Sequence, residues 1–146
     1  MLEALSTPRN RNLTLVFLAI CCASATTAVV VGVSDNPPGI LLAFGAVTAL
    51  VLAFVHPWRT GKQFGLFLVA SALGFVIFGI LHNVFYALAS KAGTGALQSL
   101  LQGLSVAAFL LAVLICPPAI LVGSVGSVVM FIRNRRRPTR GGDTAA

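Results

Sequence analysis

Acidic side chains are nearly missing from this chain. Only Glu3, Asp35 and Asp143 occur among 146 residues, and none lies inside a long apolar stretch. That argues against transport coupled to protons or cations, which is built on an intramembrane carboxylate. No arginine lies within those stretches either, and a voltage sensor needs several. The only histidines, His56 and His82, fall toward opposite membrane faces, so they cannot share a metal or bracket a haem. A Cys116–His82 pair would offer two ligands where three or four are usual. No metal or cofactor is therefore expected. Nucleophilic catalysis lacks an acid to orient His82, and no glycine-rich phosphate loop is present, so the chain is not expected to be an enzyme. The three cysteines, Cys21, Cys22 and Cys116, sit within apolar runs and read as small hydrophobes.

What the chain does have is apolar length. It is 58% hydrophobic and 9% charged, with a mean hydropathy of +0.98. A soluble domain carries about 25% charged residues. Four apolar runs, 13–33, 39–55, 64–89 and 104–132, approach or exceed the span requirement of about 20 residues. They predict an all-α integral membrane protein, a bundle of four transmembrane helices forming one domain over 13–132. Residues 1–12 read as an N-terminal segment and 133–146 as a basic, disordered tail. Ala23-Ser24-Ala25 resembles a signal-peptide cleavage site, but the apolar run continues to Val33, long enough for a retained span.

The positive charges set an orientation. Arg9, Arg11, Arg59, Lys62, Arg133, Arg135, Arg136, Arg137 and Arg140 would share one side, and only Lys91 the other. Both termini are then cytoplasmic. Trp58 and Tyr86 fit interfacial anchors, and Asn12 heads a glycosylation sequon that would lie on the cytoplasmic side. Arg133, Arg135, Arg136, Arg137 and Arg140 are expected to contact anionic lipid headgroups. Nucleic acid is not an expected partner, because no aromatic-interleaved reader accompanies the basic run.

Helices in lipid pack through small residues. Candidate stripes are Cys21, Ala25, Ala28 and Gly32 in the first span, Gly45, Ala49 and Ala53 in the second, and Ala119, Gly123 and Ser127 in the fourth. In the third, Gly65, Ala72, Gly79 and Tyr86 recur every seven residues, with Phe75 on the same face. Leu66, Ala70, Leu73, Ile77, Leu81, Val84 and Leu88 form the opposite, lipid-facing side. On this reading His82 and Asn83 point inward.

Pro117-Pro118 predicts a kink in the fourth span. It would free the carbonyls of Val113 and Leu114 and push Cys116 out of helical geometry. Counted at about 1.5 Å per residue from the inner boundary, His82 and Val113 both lie about 27–28 Å up. His82 and Asn83 are therefore expected to donate to those carbonyls. PPGILLAFG at 37–45 and PPAILVGSVG at 117–126 share an order of residue types that a two-plus-two duplication would leave. ALQSLLQGL, which follows Gly93-Thr94-Gly95, reads as an extension of the fourth span rather than a separate surface helix.

Two functional classes follow. The first is a non-enzymatic structural, assembly or interaction role through helix packing, in a homo-oligomer or a larger membrane complex. The second is an oligomeric small-solute carrier or channel, or a lipid- or quinone-binding protein, with an outer-leaflet pocket around His82, Asn83, Tyr86, Val113 and Leu114. The composition suits a prokaryotic plasma membrane.

Overall fold

A computed structural model describes residues 7–33 and 36–135. Its elements are α1 (Pro8–Val31), α2 (Pro37–Val55), α3 (Gly61–Lys91), α4 (Ala96–Leu110), a π-helical segment (Leu111–Ile115) and α5 (Cys116–Arg135). All regular structure among the described residues is helical, and α4, the π segment and α5 form one continuous rod, Ala96–Arg135. Four helices are long and apolar enough to cross a membrane: α1, α2, α3 and this rod. Arg136, Arg137 and Arg140 lie outside the described residues.

Local chemistry explains the ends. Thr7 caps α1, its hydroxyl accepting from the Asn10 N–H at 3.3 Å, and Pro8 opens the first turn. Pro37 and Pro38 likewise occupy the first turn of α2, where the missing N–H has no partner to lose. Gly32 ends α1 at φ +87°, a conformation that side chains disfavour. The second proline pair acts differently. Cys116 keeps helical angles, φ −64° and ψ −44°, and its N–H reaches back to the Leu111 carbonyl, five residues away. The expected departure of Cys116 from helical geometry therefore does not occur. One widened turn absorbs the prolines instead, as π-bulges do.

The helices pack as two antiparallel hairpins. α1 lies along α2 alone, α3 lies along the whole rod, and α2 meets the rod at α5 and the π segment. Alanine dominates the buried positions: Ala28 on α1, Ala46, Ala49 and Ala53 on α2, and Ala108, Ala112 and Ala119 on the rod. Gly45 is not part of the contact; a Cβ there would have no neighbour within 4 Å. Ala25 is exposed, and Ser24 and Ala28 take its side of the face. Thr14 is almost fully buried and its hydroxyl donates to the Ala53 carbonyl at 3.2 Å, tying α1 to α2. Thr14→Val keeps the volume and removes the donor. It should cost about 0.6–1.7 kcal/mol, read by denaturant unfolding in mixed micelles.

α3 departs most from expectation. Phe64, Leu68, Ser71, Gly74, Phe78, His82, Phe85 and Ala89 are turned inward, while Ala72, Phe75 and Tyr86 are exposed. Leu66, Ala70, Leu73, Ile77, Val84 and Leu88 do face outward, but Leu81 is half-buried. Here the small residues of the rod form the holes and the large residues of α3 are the knobs. A Cβ on Gly126 would overlap the Phe64 ring, and one on Gly123 would lie 3.0 Å from the Leu68 Cα. Smallness marks the interface on the rod, whereas α3 mixes large residues with Ser71, Gly74 and Ala89.

Candidate functional site

The inward polar cluster lies where α3 crosses α4. The Nδ1 of His82 is 3.0 Å from the Ser105 carbonyl oxygen and 2.9 Å from the Ser105 hydroxyl. A carbonyl can only accept, so Nδ1 carries the ring proton and donates to both oxygens. The Ser105 hydroxyl donates in turn to the His82 carbonyl at 3.2 Å. Ser105 is almost fully buried, and four polar groups are satisfied within this one pair of residues. Phe109 lies tilted at 49° against the imidazole with centroids 5.2 Å apart, and Tyr86 lies at 6.3 Å.

These partners correct the sequence reading. His82 does not serve the carbonyls below Pro117-Pro118, and Asn83 bonds its own helix, donating to the Gly79 carbonyl at 2.8 Å. Asn83 is exposed rather than inward. The error lies in the register. Phe64 is level with Gly126, not with Ile132, because α5 runs on to Arg135. Six residues of offset is about 9 Å along a helix, enough to exchange Val113 for the Ser105–Phe109 turn.

Some expected neighbours still meet. His82, Asn83 and Val113 line one groove of about 400 Å³ with Phe75, Gly79 and Phe109. Tyr86 and Leu114 are not among the lining residues. With Nδ1 protonated, Nε2 of neutral His82 is a bare acceptor, and it has no hydrogen-bond partner among the described residues. The groove can therefore receive a donor group on an otherwise apolar ligand. Ser105 was the residue that sequence reasoning missed. Its signal is the stripe Ser105, Ala108, Ala112, Cys116, Ala119 and Gly123, all buried, which carries the expected Ala119–Gly123 pattern up through the proline pair.

His56 forms a second polar site at the other end of the helices. Its Nδ1 lies 3.2 Å from the Leu52 carbonyl and 3.1 Å from that of Ala53, so it donates to the open C-terminus of α2. Its Nε2 is buried with no hydrogen-bond partner among the described residues, and the imidazole lies 5.9 Å from the Phe17 ring between centroids. Arg133 and Arg135 end α5 in exposed positions, and the Arg135 guanidinium sits 4.6 Å above the Phe131 ring. Among the described residues, no three His, Cys, Asp or Glu side chains are grouped as metal ligands.

No protein-family model, curated protein or solved structure matches the chain.

Proposed function

We propose that this is a small polytopic membrane protein with a non-enzymatic structural, assembly or interaction role exercised through helix packing. The observation that carries this reading is the use made of His82. Its ring proton is taken up by Ser105 across the α3–α4 contact, so the one inward histidine of the far half acts as a fastening. Only 11% of the most apolar 18-residue stretch of α1 and 6% of that of α3 are buried, which leaves long apolar faces for other helices or lipid. The reading includes a four-helix bundle with both termini cytoplasmic, a basic rim on anionic headgroups, assembly as a homo-oligomer or larger complex, and a prokaryotic plasma membrane.

A second reading draws on the free Nε2 of His82 above its groove: binding of a lipid, quinone or small solute, with transport requiring several copies. Native mass spectrometry of gently extracted wild type and His82→Ala separates the two. The first reading expects a stoichiometric assembly of polypeptides that both forms retain. A small molecule held by wild type and lost from the variant would replace it with the second.

A further inference from the structure

A second concave surface lies at the basic end, away from His82. A cleft of about 390 Å³ opens between α2 and α5, with Phe64 of α3 at its floor. Leu52 forms one wall and Leu121, Val125 and Val129 the other, with the Thr48 hydroxyl the notable polar group. That hydroxyl is already spent on the Phe44 carbonyl at 2.8 Å. The cleft therefore offers a ligand apolar contact and little else.

Charge stands at its mouth. Leu121, Val125 and Val129 are spaced by four, and the next member of that ridge is Arg133. A Cβ on Gly61 would lie 3.6 Å from the Met130 Cβ, so the start of α3 meets the last turns of α5 and brings Lys62 and Arg133 to the same end of the helices, with Arg59 just before α3. Arg9 and Arg11 stand at the same end, because Thr14 of α1 bonds Ala53 near the end of α2. No described residue is acidic; Glu3, Asp35 and Asp143 all lie outside the described residues. With Arg135, six cations thus crowd one end of the described structure with no described carboxylate to answer them. An apolar slot ending in a cluster of positive charge complements a molecule with an apolar chain and an anionic head.

We propose that this cleft binds one acyl chain of an anionic phospholipid, with its phosphate held by Lys62 and Arg133. Basic pockets between membrane helices recognise such headgroups by charge, and the chain supplies contact area that a bare anion lacks. The site goes beyond the packing role proposed above and does not depend on it.

Trp58 is the only tryptophan and stands edge-on to Phe64, at 5.5 Å between centroids, so it reports on the floor of the cleft. The experiment is quenching of Trp58 by brominated phosphatidylglycerol and brominated phosphatidylcholine, in bilayers mixed from the two lipids. Wild type should show a saturable component with about thirtyfold preference for phosphatidylglycerol, the factor expected from two basic contacts near the surface at about 1 kcal/mol each. Lys62→Gln with Arg133→Gln should bring that preference to about one. Leu121→Phe with Val125→Phe fills the cleft from exposed positions and should abolish the saturable component. Circular dichroism and residual quenching by phosphatidylcholine show that this variant is folded and inserted. Absence of a saturable component in wild type, its survival after filling, or a preference untouched by loss of the two cations would overturn the proposal. So would efficient crosslinking between chains through Leu121→Cys in bilayers, because a second copy would then occupy the cleft. The charge variant leaves the packing alone, so it decides the matter even where the filled variant does not fold.

Discussion

Gly123→Leu should destabilise the protein by about 3 kcal/mol, at the upper end of what overpacking usually costs. A Cβ at this position would meet the Leu68 Cα at 3.0 Å and the Leu68 N and Cβ at 3.1 Å. Those atoms belong to the backbone and first side-chain carbon of a helix, so no rotamer change relieves them. The rod and α3 must separate, and their contact runs without interruption from Gly61–Met130 past Phe64–Gly126 and Gly74–Cys116 to His82–Phe109. Separation exposes apolar groups only to lipid, so the loss is of close packing and of the His82–Ser105 bonds, not of hydrophobic burial. Gly123→Ala needs the neighbour to give by only a few tenths of an ångström and should cost about 1 kcal/mol. Gly45→Leu is the control. It is an equally large change in a helix interior where nothing lies within 4 Å, and it should fall within about 0.5 kcal/mol of wild type. Unfolding of all three in mixed detergent micelles gives the comparison. Equal stability of Gly123→Leu and Gly45→Leu would mean that α3 and the rod do not approach as described.

That comparison shows where the sequence was legible. Gly45 and Gly123 both sit in small-residue patterns of the same kind, yet only one touches a neighbour. The hydrophobic runs located the four long helices because membrane length is a one-dimensional property. Bounds of 13–33, 39–55, 64–89 and 104–132 compare with Pro8–Val31, Pro37–Val55, Gly61–Lys91 and Ala96–Arg135. Facing is a property of pairs. On α3 the stripe of small residues pointed to the wrong side, because the rod already supplies the holes and α3 needs bulk to fill them. Gly65 and Gly79 accordingly have no neighbour within reach of a Cβ. The proline pair was legible as a disturbance but not as its remedy. A π turn changes one hydrogen-bond step without ending the helix, and composition carries no trace of it. Depth was the weakest inference, since it treated the end of an apolar run as the end of a helix. α5 continues three residues past Ile132 and α3 begins three before Phe64. The partner assigned to His82 was wrong for that reason, although the need for a partner was read correctly.

The His82 pair gives the second large effect, and it bears on function as well as fold. His82→Ala should cost about 2 kcal/mol, because it removes the ring N–H shared by the Ser105 hydroxyl and carbonyl together with the imidazole contact to Phe109, while the hydroxyl keeps the His82 backbone carbonyl as its acceptor. Ser105→Ala should cost less, about 1 kcal/mol, since the carbonyl at 3.0 Å remains to accept the ring proton. The double variant should be less destabilised than the two single changes combined, with a coupling of about 0.6–1.7 kcal/mol. Asn83→Ala should be close to neutral, as its amide serves only the Gly79 carbonyl of its own helix and the residue is exposed. The asymmetry between adjacent residues is the useful part. A pocket that reads its ligand through His82 and Asn83 together would make both changes costly to binding and need not couple either to Ser105. A fastening between α3 and α4 makes one change costly to stability, ties it to Ser105 and spares the other. Independence of His82→Ala and Ser105→Ala in the cycle would remove the fastening and, with it, the observation on which the packing role rests.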